Sequence, residues 1–417
     1  SRNAFCMLSD VSSSVYSQRL GDVFRGSGQE NSAPGGTGVY ESLFLRRRHQ
    51  NFRVYQSAPG HQTKLTKTLA AALLALACTA PAYAQENNAE RMITQTAGIA
   101  FYNLENFFDT IPNNPLGRDL EYTPNGKNQW DSRKYRNKVN NLARAISSFT
   151  SKRTPNGPAI IGVSEVENRG VLEDLVRDPQ LAPWNLQIVH HDSPDKRGID
   201  VSLLYNPKYF KLENVTNHTL SEVPFATRDQ MCVVGRLMGQ RVAVIVNHWP
   251  SRIGGQEKSS PNREAAARLC LAISDSLWRV DPQIGVIIMG DLNDDPMDKS
   301  CAEVLGAKRD KKDVTEDHQF FSPFWSILDH GTGTLAYKSS WNLFDQIIIS
   351  GNLLNTPENR WHFLRAEVLN RDFLKDTEGA RQNYPLRTFA SGVYLNGYSD
   401  HFPTEIFVTR RIPAPKR

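Results

Sequence analysis

Residues 286–294 read VIIMGDLND, an apolar run that passes directly into a cluster of polar side chains. Short apolar runs flanked by polar loops are typical of strands buried in a sheet. The run ends at Gly290, and Asp291, Asn293 and Asp294 follow it. This stretch therefore predicts a core strand with carboxylate and amide groups at its end.

The same apolar pattern recurs along the chain and predicts the rest of the framework. Buried strands are also predicted at Ile99–Leu104, Ala159–Val163, Val201–Tyr205, Val242–Asn247 and Gln346–Ile349. Helices are predicted at Lys134–Phe149, Gly170–Val176 and Arg263–Trp278. Strands that are mixed with helices, rather than alternating strictly with them, favour an α/β layered sandwich over a doubly wound sheet.

Polar residues follow other predicted strands as well. They are Asn103 and Glu105, then Glu165, Glu167 and Asn168, then Asn247 and His248, and Ser399, Asp400 and His401 near the end of the chain. Such groups can meet at one rim of a sheet, where carboxylate and amide oxygens suit Mg²⁺, Mn²⁺ or Ca²⁺. The scarcity of cysteine nearby argues against a thiolate zinc site. No glycine-rich phosphate loop or GxSxG elbow follows any strand.

The formal charge of +5 is distributed unevenly. Residues 1–84 hold nine Lys/Arg and four Asp/Glu, so the rest of the chain has 40 of each sign and is formally neutral. A neutral body provides no overall attraction for nucleic acid, although a local basic groove stays open. Cys232, Cys270 and Cys301 lack CxxC spacing, and we expect them to be small buried residues.

Residues 64–84 read KLTKTLAAALLALACTAPAYA, which has the order of a secretory signal. The apolar run is short for a membrane span. We therefore expect cleavage before Gln85 and a secreted, periplasmic or cell-surface protein without a transmembrane segment. A lipid anchor at Cys78 is the second alternative, and a buried helix is the third. Residues 1–63 are predicted to be a non-native or disordered extension, and residues 85–97 a flexible linker.

Six short motifs in order resemble one superfamily. They are Phe101–Asn106, Ser164–Asn168, Asn247–Ser251, Gly290–Asn293, Phe344–Ile347 and Ser399–Pro403. Together they resemble the endonuclease/exonuclease/phosphatase superfamily, which includes pancreatic-type DNases, abasic-site endonucleases, sphingomyelinases and inositol-phosphate phosphatases. Each motif is weak alone, but six in order are specific. The resemblance implies a catalytic domain over 98–410 with a DNase I-like fold: a four-layer α/β sandwich of two packed mixed β-sheets flanked by helices.

The resemblance also implies a cation site and a histidine pair. Glu165 would be the principal ligand of a divalent cation, Mg²⁺ or else Mn²⁺ or Ca²⁺, with Asn103 beside it. Asp400 would complete the metal or water environment. His401, held by Asp345, would be the general base or would contact the phosphate.

The remaining roles concern water and substrate. The resemblance implies that Asp291 positions or deprotonates the attacking water and that Asn293 orients the phosphate. His248 would donate to a phosphate oxygen as negative charge builds. Candidates for substrate contact are Arg252, Arg197 and Asp200, each of which stands beside a predicted strand or motif.

These residue types suit phosphodiester hydrolysis on chemical grounds, independently of the resemblance. An anionic diester repels hydroxide, so the site needs a cation and donors on the non-bridging oxygens. It also needs a base near neutral pKa, which histidine supplies, and a carboxylate on the other ring nitrogen raises its basicity.

We expect a monomeric, secreted endonuclease whose partner is nucleic acid. A lipid or inositol-phosphate phosphodiesterase, sphingomyelinase-like, is the alternative that Trp249, Trp325 and Trp341 keep open. A calcineurin-like metallophosphatase would need a Gly-Asn-His motif after Gly290-Asp291, and none follows. A non-catalytic binding module on this scaffold is the alternative of another class.

Overall fold

The computed structural model describes residues 91–114, 116–337 and 339–414. The predicted extension, the predicted signal and residues 85–90 of the predicted linker lie outside the described residues. None of the helices in the described ranges is long and apolar enough to cross a membrane.

The described residues form sixteen strands and four α-helices. The strands are β1 Met92–Phe107, β2 Ile160–Val166, β3 Gln187–His190, β4 Asp200–Tyr205, β5 Phe210–His218, β6 Gln230–Leu237, β7 Gln240–His248, β8 Gly285–Asp291, β9 Phe320–Phe321, β10 Leu335–Tyr337, β11 Ser340–Asn342, β12 Asp345–Ser350, β13 His362–Val368, β14 Phe389–Ala390, β15 Val393–Tyr394 and β16 Thr404–Pro413. The helices are α1 Ser132–Ser147, α2 Arg169–Arg177, α3 Gln256–Val280 and α4 Phe324–Asp329.

Two six-stranded sheets contain most of these strands. The first has the order β13-β16-β1-β2-β4-β3, and the second has the order β5-β6-β7-β8-β12-β9. Each sheet is mixed, because β1 runs parallel to β2 and β7 runs parallel to β8, while the other neighbours are antiparallel. The parallel pairs matter for function, since they bring the ends of two strands to the same rim of each sheet.

The two sheets pack face to face, and helices cover their outer faces. Between the sheets, a β-carbon on Gly162 of β2 would lie 2.4 Å from the sulfur of Met289 on β8, so only glycine allows this approach. Leu142 of α1 and Leu172 of α2 pack on the first sheet, and Cys270 of α3 packs on the second. The predicted four-layer α/β sandwich is confirmed.

The apolar runs located the central strands and helices correctly, but one predicted boundary is wrong. All six predicted strands and all three predicted helices are present. The predicted flexible linker is wrong over residues 92–97, because β1 begins at Met92 and pairs with β16 from Met92↔Pro413 onward. Thr94, Gln95 and Thr96 are polar and partly exposed there, so no apolar run marks this half of the strand.

Candidate active site

The topology brings the polar strand ends together. Asn103 pairs with Ser164 across β1 and β2, and Glu165 follows directly. In the second sheet, Asp291 at the end of β8 lies opposite both His248 of β7 and Asp345 of β12. Because the sheets face each other, these ends form one polar cluster.

Asp291 is the centre of the cluster. Its Oδ2 accepts a hydrogen bond from Asn103 Nδ2 at 3.0 Å, which joins the two sheets. The same oxygen lies 3.6 Å from His248 Nε2 and 3.9 Å from His401 Nε2. Its Oδ1 accepts the backbone N–H of Asn293 at 3.0 Å. Burial, reinforced by Asp345 and opposed by His401, raises the pKa of Asp291 to about 6.

His401 and Asp345 form a close side-chain contact in the cluster. Nδ1 of His401 lies 2.6 Å from Oδ2 of Asp345, and both residues are buried. Burial alone would lower the pKa of His401, but the carboxylates of Asp345, Asp291 and Asp400 together raise that pKa well above its usual value. The carboxylate on Nδ1 directs Nε2 towards Asp291.

Ser399 fixes the closing motif to the first sheet. Its hydroxyl donates to the backbone oxygen of Asn103 at 2.7 Å and accepts the backbone N–H of His401 at 3.1 Å. The Ser-Asp-His spacing therefore has a local cause: the serine holds the turn that presents Asp400 and His401 at the rim.

His248 has the opposite electrostatic setting. Burial, together with the charges of Arg228, Arg197 and His401, lowers the pKa of His248 well below its usual value. A neutral imidazole can donate one N–H without adding charge. Its Nδ1 is buried and has no hydrogen-bond partner among the described residues.

The predicted cation ligands offer only oxygen atoms. Glu165 takes a left-handed backbone conformation, with φ of 62°, which turns its carboxylate to accept the N–H of Asn106 at 2.8 Å. Oδ1 of Asn103 accepts the N–H of Glu105 at 2.9 Å and keeps a second lone pair. Asp400 is partly exposed and accepts from Arg387 at 2.6 Å. The side-chain oxygens of Glu165, Asn103 and Asp400 are of the type that a hard divalent cation prefers, and no thiolate is among them.

A different set of candidate ligand atoms, which does not include Glu165, Asn103 or Asp400, lies beside the predicted ligands. Asp291, Asp345 and His401 each offer a ligand atom within 4.8 Å of the others. Oδ1 of Asp345 is buried and has no hydrogen-bond partner among the described residues. The site therefore has a buried carboxylate oxygen that no hydrogen bond within the described residues uses.

Of the three predicted substrate contacts, the structure brings only Arg197 to the cluster. Its guanidinium lies 3.1 Å from Glu165 Oε2 and 3.2 Å from Oε1. Asp200 belongs to a separate group, because its carboxylate accepts the N–H of Ser193 at 2.8 Å and lies 3.8 Å from His190 Nε2. Burial raises the pKa of Asp200 to about 7.

Arg252 is engaged by its own surroundings. Its guanidinium lies 3.2 Å from Asp294, 3.4 Å from Asp295 and 2.5 Å from Asp298, and it donates to the backbone oxygen of Asn293 at 2.8 Å. It also stands 4.3 Å above the ring of Phe344. The geometry assigns Arg252 to the support of the Asn293 loop and of the residue before Asp345.

Two supporting residues, Arg228 and Lys138, were not predicted from the sequence. Arg228 is buried and donates to the backbone oxygens of His248 at 3.1 Å and Trp249 at 2.7 Å, with Asp195 as its ion-pair partner at 3.0 Å. Lys138, on the buried face of α1, donates to the backbone oxygen of Tyr398 at 2.7 Å. The only hint for Lys138 was a lysine within an apolar helix face.

A family profile matches most of the chain. The Endonuclease/Exonuclease/phosphatase family profile covers residues 98–410. No curated protein matches the chain.

Solved structures also resemble the chain. One is an endonuclease/exonuclease/phosphatase family protein from Bacteroides thetaiotaomicron, with 17% identity, a TM-score of 0.48, and 78% of this chain and 99% of that chain covered. TDP2 from D. rerio, complexed with a single-strand DNA product, has 13% identity, a TM-score of 0.47 and coverage of 75% and 98%. A mannosyl-6-phosphatase from B. thetaiotaomicron has 17% identity, a TM-score of 0.45 and coverage of 75% and 99%.

Proposed function

The chain belongs to the endonuclease/exonuclease/phosphatase family, whose members are phosphoric ester hydrolases, and we propose that it hydrolyses phosphodiester bonds of nucleic acid with a divalent cation. The observation that carries this proposal is the set of side-chain groups that lie around Asp291 Oδ2. Nε2 atoms of His248 and His401 lie 3.6 and 3.9 Å away, and an amide N–H lies 3.0 Å away. The carboxylate of Asp291 and the imidazoles of His248 and His401 therefore converge at one place on the rim of the two sheets.

The chain's own groups divide the reaction between them. Asp291 orients a water molecule and takes one of its protons as the oxygen attacks phosphorus. Nε2 of His401 and Nε2 of His248 donate to non-bridging oxygens, where negative charge builds. The bond from phosphorus to the leaving alkoxide then breaks. A divalent cation at Glu165, Asn103 and Asp400 would neutralise charge on the phosphate; Mg²⁺ is the ion we propose.

Asn293 orients the phosphate from the side. Its backbone also has a left-handed conformation, with φ of 51°, and its side chain donates to the backbone oxygen of Trp249 at 3.0 Å. An amide has two N–H groups, so the second stays available to a phosphate oxygen.

A substrate panel tests this function. Plasmid DNA, RNA, sphingomyelin and inositol phosphates are each incubated with the protein, with and without Mg²⁺. We expect cation-dependent cleavage of DNA or RNA that is lost in His401→Ala. Faster turnover of sphingomyelin or an inositol phosphate would reject the nucleic-acid assignment while leaving the hydrolase chemistry in place.

One observation favours a second candidate, a lipid or inositol-phosphate phosphodiesterase. Ile111, Leu116 and Leu120 are 60%, 68% and 57% exposed on one loop, which could touch a membrane surface. Two of the three tryptophans, Trp249 and Trp341, do not add to this case. Trp249 is buried and bonds to Asn247, while Trp341 packs against Tyr384 and Phe402.

We also propose that the protein acts outside the cytoplasm as a monomer, after cleavage before Gln85. The order of charges, apolar residues and small residues in 64–84 supports secretion. N-terminal sequencing of the exported protein should give Gln85. A mature start near Ser1 would refute the signal, and a lipid-modified Cys78 would indicate anchoring instead.

A further inference from the structure

A second concave feature adjoins the catalytic cluster. The loop between β1 and α1 and the β14–β15 ribbon enclose a cavity of about 210 Å³. Two of its lining residues, Asn106 and Arg387, also bond the predicted cation ligands: Asn106 donates to Glu165 at 2.8 Å, and Arg387 donates to Asp400 at 2.6 Å. A group attached to a phosphate at the cluster therefore lies next to this cavity.

Aromatic rings line the cavity and hold each other in place. Tyr122 stacks on Phe108 with ring centroids 4.3 Å apart and an interplanar angle of 7°. Trp130 meets Tyr122 edge-on at 6.1 Å, and Phe389 packs against Trp130 at 5.8 Å. Nε1 of Trp130 donates to the backbone oxygen of Phe108 at 3.0 Å. Because the rings are fixed before any ligand arrives, stacking on them costs little conformational entropy.

Asn128 supplies the polar recognition group. Its backbone is anchored, since its N–H donates to Glu121 at 3.1 Å and its oxygen accepts from Lys134 at 2.9 Å. Within the described part of the chain, its side-chain amide makes no hydrogen bond. An amide offers a donor beside an acceptor, which is the pattern on the edge of a nucleobase.

We propose that this cavity binds the base of the nucleotide that flanks the scissile phosphate, with Asn128 on the base edge and the aromatic rings against its face. The inference rests on the proposed function and names one subsite of it. The volume suits a single ring system better than the roughly 300–1,000 Å³ pockets of larger ligands. The cavity fits a saccharide less well, because the two carboxylates that line it are already paired. Glu105 bonds to Thr388 and Arg387, and Glu121 bonds to Lys127.

Binding of two matched ligands tests the subsite without relying on turnover. Thymidine 5′-monophosphate and 2-deoxyribose 5-phosphate differ only by the base. We titrate each into the full-length protein in EDTA and follow tryptophan fluorescence and heat. We expect the nucleotide to bind about tenfold or more tightly, as base stacking on aromatic side chains predicts. Equal affinity would overturn the proposal, and so would tighter binding of mannose 6-phosphate.

Three variants test whether the preference for the nucleotide arises at this cavity. Asn128→Ala and Tyr122→Ala should each reduce the preference for the nucleotide at least several-fold, while Asn125→Ala should keep it. Asn125 is on the same loop, is exposed and does not line the cavity. A full preference in a folded Asn128→Ala protein, with an unchanged melting temperature, would contradict the subsite. If the substrate panel shows no hydrolysis but the base preference holds, the proposed function fails and the subsite stands.

Discussion

His401 and Asp345 lie 2.6 Å apart although 56 positions separate them in the sequence. Asp345 begins β12 in the second sheet, and His401 stands three residues before β16 in the first. The contact therefore joins the two sheets at the rim where Asp291 and Asn103 also meet. The position of His401 in the cluster therefore depends on how the two sheets are assembled.

Replacing Asp345 with asparagine should remove the charge that holds His401 while preserving shape. Asp345 is buried, and asparagine has the same size. We expect kcat to fall by about 10²–10⁴-fold with a small change in KM, because an amide fixes the wrong tautomer or loses the charge. Steady-state kinetics on a phosphodiester substrate measure this. A normal kcat in the Asp345→Asn protein would show that the role of His401 does not depend on the carboxylate of Asp345.

Metal removal should stop turnover at the Glu165 end of the site. EDTA should abolish hydrolysis, and Mg²⁺ or Mn²⁺ should restore it. Glu165→Gln should need at least about tenfold more Mg²⁺ for half-maximal rate, because it loses a charged ligand. Glu173→Gln, which alters a partly exposed carboxylate of α2 away from the cluster, is the control and should show the wild-type requirement. Metal-independent activity would rule out the cation role.

The two arginine candidates should separate into a site residue and a structural residue. Arg197→Ala should raise KM about tenfold with little change in thermal stability, since its guanidinium is half-exposed beside Glu165. Arg252→Ala should instead destabilise the fold by about 1–3 kcal/mol, because it leaves Asp295 and Asp298 without their cation, while Asp294 keeps Arg263 at 2.7 Å. Chemical denaturation and kinetics on both variants decide. A raised KM in Arg252→Ala, together with a loss of stability in Arg197→Ala, would instead indicate that Arg252 contacts the phosphate.

Periodicity predicted the central framework well, because core strands and helices carry it in their own residues. Val286–Met289 and the Arg263–Trp278 helix needed no information from elsewhere in the chain. The half-exposed start of β1 was missed, because its stability comes from pairing with β16, some 300 positions later.

The sequence motifs predicted the residues of the candidate cluster that contact one another. They did not predict the supporting residues that lie outside the motifs. Asn103, Asp291, His248, Asp345 and His401 form one network. Arg228 is invisible in the sequence, because its role is to bond backbone oxygens of β7 and of the residue that follows it. Asp200 looked like a site residue by position, but β4 turns it towards His190.

Glu405 should make the stability of the fold depend on pH. It is fully buried on β16, and neither carboxyl oxygen has a hydrogen-bond partner among the described residues. Burial, reinforced by Glu367, raises its pKa from 4.5 to about 9. Between these values the unfolded chain releases a proton that the folded chain keeps. The contribution of the neutral Glu405 carboxyl to stability is therefore complete below pH 4.5 and is lost as pH rises, by at most about 1.4 kcal/mol per pH unit.

Glu405→Gln should flatten that fall and stabilise the protein at pH 8 relative to wild type. Denaturant melts at pH 5, 6.5 and 8 measure the slope. Glu367→Gln, on the neighbouring strand β13, is the matched control and should keep most of it. An unchanged slope in Glu405→Gln would show that Glu405 is ionised in the folded state.

The most direct test of metal-dependent phosphodiester hydrolysis at this cluster is plasmid DNA cleavage by wild type and His401→Ala at saturating Mg²⁺, with thermal unfolding recorded for both. The account predicts that His401→Ala loses at least about 10³-fold in rate and keeps a native unfolding transition. A folded His401→Ala protein that cleaves DNA at the wild-type rate would contradict it.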